Sequence, residues 1–398
     1  MKNKYTSTAI AMYINYFVHG MGAIILAQNM TYLTEQLHTD KAGVSYIISA
    51  LGIGRLIVLY ISGVLSDKFG RKPFIYLGMI TYIIFFAGIL LSPNVTVAFI
   101  FALLAGVANS FLDAGTYPAL MECYPKATGT ASVMIKAFIS AGQFTLPIVI
   151  GFLVSNGLYF GYSFIFCIII FVLNGIFLIK RVFPVANEVK ATESVEEIKS
   201  EDEMKHKPNF WIEGISLIII GFTATATFLV VQVWLPQYGK EVAGMIDTAS
   251  LKLISYYSLG SISAVVVTSV LVKNLIKPVR FVVIYPLISL VTLMVLWMFP
   301  TPTTCMIGAF SIGFSAAGGV LQLALAAMSD LFPTSKGKIT GMVYTASSIA
   351  SFAVPAITGI ISKTSMSNII LFDAGVTALG IVLGIIVNIR YNIMMKSN

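Results

Sequence analysis

Twelve apolar runs, each long enough to cross a bilayer as a helix, fill most of this chain and leave few other folds open to it. They cover residues 8–34, 42–65, 74–92, 96–121, 129–155, 161–182, 210–238, 247–272, 279–299, 304–328, 338–362 and 368–391. A helical crossing takes about 20 residues, since the hydrocarbon core is about 30 Å thick and each residue rises about 1.5 Å. A helix also satisfies its own backbone hydrogen bonds where no water can. A β-barrel would need short alternating segments, and these runs do not alternate. Only 11% of the 398 residues are charged, against about 25% in soluble domains. Such a chain cannot cover itself with polar surface, so its solvent is lipid. We expect an all-α membrane protein with twelve transmembrane helices.

Lys and Arg are spread unevenly about those helices. With the N-terminus inside, nineteen of them fall in cytoplasmic segments, and only Lys41, Lys240, Lys252 and Lys363 fall outside. Basic residues mark the cytoplasmic side, so both termini are expected there, with the chain in the cell membrane. The net charge of +8 then reflects sidedness and an anionic inner leaflet, and implies no nucleic-acid partner. The first run is too long for a cleavable signal and is followed by no small-residue cleavage site. Cys123, Cys167 and Cys305 and the three histidines are scattered. That predicts no metal site, no cofactor and no disulfide framework.

The chain also repeats itself at an offset of 208 residues. Pro125, Gly129, Met134, Ser140, Phe144, Pro147 and Gly151 meet Pro333, Gly337, Met342, Ser348, Phe352, Pro355 and Gly359. Glu122 meets Asp330, and Leu51-Gly52 meets Leu259-Gly260. Matched prolines, glycines and an acid at one constant offset predict two pseudo-symmetric six-helix bundles about an axis along the membrane normal. The bundles are expected at 1–182 and 210–398, joined by a polar cytoplasmic linker at 183–209 that holds Glu193, Glu196, Glu197, Glu201, Asp202 and Glu203. Gly142, Pro147, Gly151, Pro355 and Gly359 suit the interface between them, with plain helix packing as the alternative.

Between the second and third runs lies Gly63-Val64-Leu65-Ser66-Asp67-Lys68-Phe69-Gly70-Arg71-Lys72. This segment resembles the signature loop of the major facilitator superfamily of secondary transporters. The match includes Asp67, Gly70 and the basic pair Arg71-Lys72. The resemblance implies the major facilitator fold, with two bundles rocking about a central site and this loop latching their cytoplasmic ends. It further implies that Asp67 faces the cytoplasmic start of the eleventh span near Gly337. There a helix N-terminus favours an anion. Glu122 is the candidate partner of Arg71 at the same surface.

Polar groups inside the spans carry the functional information, because a central charge costs roughly 2.5–3.5 kcal/mol unless it faces a cavity or a partner. Asp113 is the only carboxylate deep within a span, nine residues before Glu122 and so roughly 13 Å in. Arg55 lies twelve residues before Asp67, roughly 18 Å in. An Asp113–Arg55 pair, direct or bridged by water or solute, is therefore expected, with a purely structural ion pair as the alternative. On the first span Asn15, His19 and Gly22 share a face, Asn29 returns near it, and Gln28 stands beside Asn29. His19 can change charge in the physiological range, or stay neutral and hydrogen-bonded between helices. Asn109 lies one turn before Asp113, and Gln143 shares a face with Lys136, whose amine is expected to snorkel to the surface. The second half offers Gln232 and Gln322, and Tyr256, Tyr257 and Trp234 as rings to stack on a solute or to anchor the interface. Glu213 and Asp373, close to span ends, are expected to be solvated.

Leu112-Asp113-Ala114-Gly115-Thr116-Tyr117-Pro118 resembles the fourth-span pattern of the fucose:proton symporter branch. That resemblance links Asp113 to proton coupling, although the branch's second carboxylate has no acidic counterpart among residues 15–30. The expectation is a monomeric secondary active transporter that moves a small polar organic solute with protons as coupling ion. Arg55 tilts the solute towards one bearing a carboxylate. A drug:proton antiporter is the alternative, but its Gly-Pro pair in the fifth span is missing, since Leu146 precedes Pro147. A sensor that has lost transport is a third reading. No nucleophile–His–acid set or phosphate loop suggests an enzyme.

Overall fold

The structure is a computed structural model that describes residues 4–124, 128–183, 208–274, 277–317, 319–332 and 336–394. Among these residues twelve helices are long and apolar enough to span a membrane. Spans 1 to 6 are Thr6–Gln28, Lys41–Phe69, Arg71–Leu91, Val95–Cys123, Thr128–Ser155 and Tyr162–Ile179. Spans 7 to 9 are Ile215–Glu241, Leu253–Asn274 and Pro278–Met298. Span 10 runs in two pieces, Pro302–Ile312 and Val320–Leu331, followed by Lys336–Ser362 and Met366–Met394 as spans 11 and 12. An even number of crossings brings both ends of the chain to one face, here called the terminal face. The opposite one is the far face.

Local chemistry sets where the helices begin. Asp40 opens span 2 by accepting the Gly43 N–H at 2.9 Å, and Asn94 opens span 4 by accepting that of Val97 at 3.0 Å. Thr301 and Thr304 form a reciprocal capping box at the head of span 10. Each satisfies donors that the first helical turn leaves free. Gly70, at φ +90°, separates spans 2 and 3 in a conformation that suits glycine.

Packing repeats between the halves, giving two pseudo-symmetric six-helix bundles. Span 1 lies on 5, 2 on 4 and 3 on 6, matched by 7 on 11, 8 on 10 and 9 on 12. At the 2–4 crossing, a Cβ on Gly106 would stand 2.0 Å from the Leu51 carbonyl oxygen. At the 8–10 crossing, one on Gly313 would stand 1.9 Å from that of Tyr257. Only glycine permits backbones this close. Across the halves, span 2 packs on 11 and span 5 on 8.

Several sequence expectations change. The first run is broken at Asn29, and a separate short helix, Met30–Gln36, follows. The Asn29 amide donates to the Ile25 carbonyl at 2.9 Å, a local bond that competes with helix continuation. Span 10 is interrupted by the wide turn Gly313–Ala317 and by Gly319 at φ +126°. Glu213 and Asp373 are not solvated: both are fully buried. Glu213 pairs with Arg390 and accepts the Asn209 N–H at 2.6 Å. Neither carboxyl oxygen of Asp373 has a hydrogen-bond partner among the described residues. Within the linker, residues 184–207 lie outside the described residues.

A charged chamber between the two halves

Where the halves face each other they enclose a chamber of about 410 Å³. Spans 1, 2, 4 and 5 line one side with His19, Arg55, Asn109, Asp113, Lys136 and Gln143. Spans 7, 10 and 11 line the other with Thr225, Phe228, Gln232, Gln322, Tyr344 and Ser347. At its centre Arg55 Nη2 donates to Asp113 Oδ2 at 3.2 Å, and the Tyr16 hydroxyl donates to Oδ1 at 2.6 Å. The two charged side chains keep 21% and 18% of their surface accessible, so the pair faces the chamber and is not sealed in packing. The Arg55 guanidinium also lies 5.8 Å from the Tyr344 ring centroid, reaching across to the other half. Its Nε is buried without a hydrogen-bond partner among the described residues. His19 Nδ1 lies 2.5 Å from the Tyr82 hydroxyl, and its ring meets that of Tyr16 edge-on at 5.6 Å. His19 therefore lies beside the Tyr16–Asp113–Arg55 group, in ring contact with Tyr16 and hydrogen-bonded to Tyr82.

Among the residues singled out in the sequence, Asp113, Arg55, His19, Asn109, Gln143, Gln232 and Gln322 come together here. Gln232 Nε2 donates to the Tyr257 hydroxyl at 3.2 Å, which fixes its amide. Five others lie outside the lining. The Asn15 carbonyl accepts from Asn174 of span 6 at 2.7 Å, which turns it away from the His19 face. Asn29 donates to Ser163 at 3.2 Å, and Gln28 is 3% exposed. Trp234 is buried and donates to Thr358 at 2.8 Å, so it packs span 7 on span 11. Tyr256 points outward and is 39% exposed.

Lys136 departs most from the sequence reading. It turns into the chamber instead of snorkelling, and its amine stands 5.9 Å from the Phe228 ring centroid across the seam. Tyr16, Tyr82, Tyr117 and Tyr344 were not anticipated either. Tyr117 carried a usable signal, one helical turn from Asp113. The others do not differ in sequence from interfacial tyrosines.

Packing closes the chamber towards the far face. Ser45 donates to the Pro355 carbonyl at 2.6 Å, and Ser255 to that of Phe144 at 2.9 Å. Ser140 donates to Ser261 at 3.1 Å. Beyond them Lys41 pairs with Glu241, and Asp40 with Lys363 at 3.2 Å, both across the halves. At the terminal face the ion pairs among the described residues stay within one half. Arg71 holds Asp67 at 2.5 Å and Glu122 at 3.3 Å, while Lys72 donates to the Ile179 carbonyl at 2.9 Å. The side-chain surroundings of Gly337 lie outside the described residues.

The chain resembles known proteins along its whole length. A sequence profile of the Major Facilitator Superfamily matches residues 12–355. The inner membrane transport protein YdiM of Escherichia coli (strain K12) is 45% identical over 390 residues, 98% of this chain and 96% of that protein. The uncharacterized MFS-type transporter YfkL of Bacillus subtilis (strain 168) is 45% identical over 392 residues, 98% of each. Among solved structures, the inward-open xylose transporter XylE of E. coli superposes with a TM-score of 0.77 at 13% identity, covering 98% of this chain and 97% of that one. Profile, relatives and fold agree with the loop at Gly63–Lys72: the chain belongs to the Major Facilitator Superfamily of membrane transporters.

Proposed function

We propose that this protein is a secondary active transporter that carries a small polar organic solute through the chamber by alternating access, in symport with protons. The observation that carries the reading is the Asp113–Arg55–Tyr16 group facing the chamber where the halves meet. An acid held between a cation and a phenol can take up a proton when a bound solute disturbs that pairing. The likeness of Leu112–Pro118 to the fucose:proton branch supports the same residue in that role. Residues 1–182 and 210–398 act as the rocking bodies, 183–209 as their tether, and the chain works as a monomer. The excess of Lys and Arg at the terminal face supports a cytoplasmic position for it. The outward-closed seam then makes this an inward-facing state. The loop residues Asp67, Gly70, Arg71 and Lys72, with Glu122 and Gly337, serve the cytoplasmic gate of the opposite state.

Four tyrosines around the chamber also suit a drug:proton antiporter, the second reading. The internal ion pair favours a polar cargo, and a resistance assay in a pump-deficient strain separates the two. For the first reading, the test is solute uptake into vesicles under imposed pH gradients. A proton symported with an uncharged solute supports about 50-fold accumulation per 100 mV, whereas one symported with a monoanion is driven by the pH gradient alone. Asp113→Asn is expected to abolish gradient-driven accumulation while leaving solute exchange measurable. Uptake indifferent to the gradient in either direction rejects proton coupling.

A further inference from the structure

The charges lining the chamber do not balance. Arg55 is answered by Asp113 at 3.2 Å, so the guanidinium is not the free cation of the site. Lys136 is: it lines the same chamber and has no ion-pair partner among the described residues. It sits one turn beyond the Ser140–Ser261 contact, the point where spans 5 and 8 are pinned together. Phe228 faces it from span 7. Gln143 shares its helix face two turns on, is 6% exposed, and has no hydrogen-bond partner among the described residues. One turn beyond Phe228 lies Gln232. A part-exposed amine and an amide beside it, both lining the chamber at the seam, form a cradle open to an acceptor.

We propose that the cargo is an organic monocarboxylate whose carboxylate is held by Lys136 and Gln143 at the seam, while its uncharged remainder lies against Phe228 and Gln232. The inference rests on the transporter reading above and names the cargo class of the same site. One negative charge brings the chamber to neutrality in a medium where unbalanced charge is expensive. While Asp113 is ionised a second would leave a surplus, so dicarboxylates bind less well at pH values where Asp113 carries its charge. Since Lys136 belongs to one half and Phe228 and Gln232 to the other, a cargo on this cradle also ties the halves together.

Two measurements on the full-length protein test it. The first is ligand-induced thermal stabilisation with a panel of small aliphatic and aromatic monocarboxylates, their primary amides and alcohols, and matched dicarboxylates. Monocarboxylates are expected to stabilise the wild type and the amides are not. Lys136→Gln should weaken the effect by about 30-fold or more, and Lys136→Arg should retain it. Amides that act as well as acids, or an acid effect that Lys136→Gln leaves intact, overturn the proposal. So does a panel without a single stabilising acid.

The second measurement requires no knowledge of the cargo. In Gln322→Cys, the new thiol faces the chamber, whereas the three native cysteines are buried. Relative to a free thiol, it should react faster with an anionic sulfonate reagent than with a cationic trimethylammonium one. Adding Lys136→Gln should remove that preference. An unchanged ratio sinks the proposal, even if a neutral solute proves to be proton-coupled cargo and the transporter reading stands. Conversely, acid binding through Lys136 without any gradient dependence would sink the coupling alone.

Discussion

Asp113 and Asp373 are both acids within spans, and their surroundings differ in one decisive respect. Asp113 has a guanidinium and a phenol within hydrogen-bond distance and faces the chamber. Asp373 is fully buried, with both oxygens unpartnered among the described residues. A buried polar group left unsatisfied costs about 1–3 kcal/mol, and an apolar side chain of similar shape removes that cost. Asp373→Leu is therefore expected to raise Tm in detergent by a few degrees; a fall of that size would mean the carboxyl holds a partner essential to packing. The Asp113–Arg55 pair was legible because two opposite charges at similar depth in hydrocarbon have few other places to go. Lys136 and Asp373 were misread because distance from a span end says how deep a residue lies, not which side of the helix it occupies. Asn15 and Asn29 show the converse: periodicity placed them on a face, but their partners Asn174 and Ser163 lie on span 6, which no local pattern reveals.

At the scale of helices, the number and order of spans followed from hydrophobic length, and the breaks did not. Residues 8–34 and 304–328 are each apolar enough overall to read as one run, although Gln28-Asn29 and Gly318-Gly319 stand at the breaks. At Asn29 a side-chain bond to one carbonyl decides it, and in span 10 a wide turn and one glycine do. Glycines at crossings were legible as small residues but not as to partner. Gly142 was expected at the moving interface, yet it packs within its own half: a Cβ there would stand 1.9 Å from the Phe17 carbonyl oxygen on span 1. A Cβ on Gly151, two turns and more along the same span, would meet nothing within 4 Å. Gly142→Val should thus force spans 1 and 5 apart, at a cost of about 3 kcal/mol or more, read as lost monodisperse protein on size exclusion. Gly151→Ala should leave yield and Tm unchanged. Equal tolerance at both positions would refute the tight crossing.

For the whole molecule, the sequence drew attention to the loop at the terminal face, while among the described residues the ion pairs joining the halves lie at the far one. Lys41–Glu241 and Asp40–Lys363 link residues about half a chain or more apart, so no motif betrays them. Their effect is on the balance of states: they exist only while the far ends are together, and so favour the chamber closed on that side. Asp40 adds a pH limit. Its carboxylate accepts the Gly43 N–H and faces Lys363, and these hold its pKa below the ordinary carboxylate value. A lowered pKa means that the contribution is complete above about pH 4 and is lost only as pH falls through the depressed value. Through the physiological range the Asp40 contribution is therefore insensitive to pH. Both residues of each pair are at least partly exposed, so each pair adds at most about 1 kcal/mol. Lys41→Ala with Lys363→Ala should shift the balance towards far-face opening by up to about 30-fold. A thiol placed at Gly52, whose Cβ would lie 2.4 Å from the Phe352 backbone in the closed seam, is too crowded to serve as reporter. Ser351, which lines the chamber, is better suited. Ser351→Cys should be labelled faster by an impermeant thiol reagent added at the far face once both lysines are gone, with no added sensitivity to pH between 5 and 8. Labelling unchanged by the double substitution would show that the seam of spans 2 and 11 holds the far side shut without help from the ion pairs.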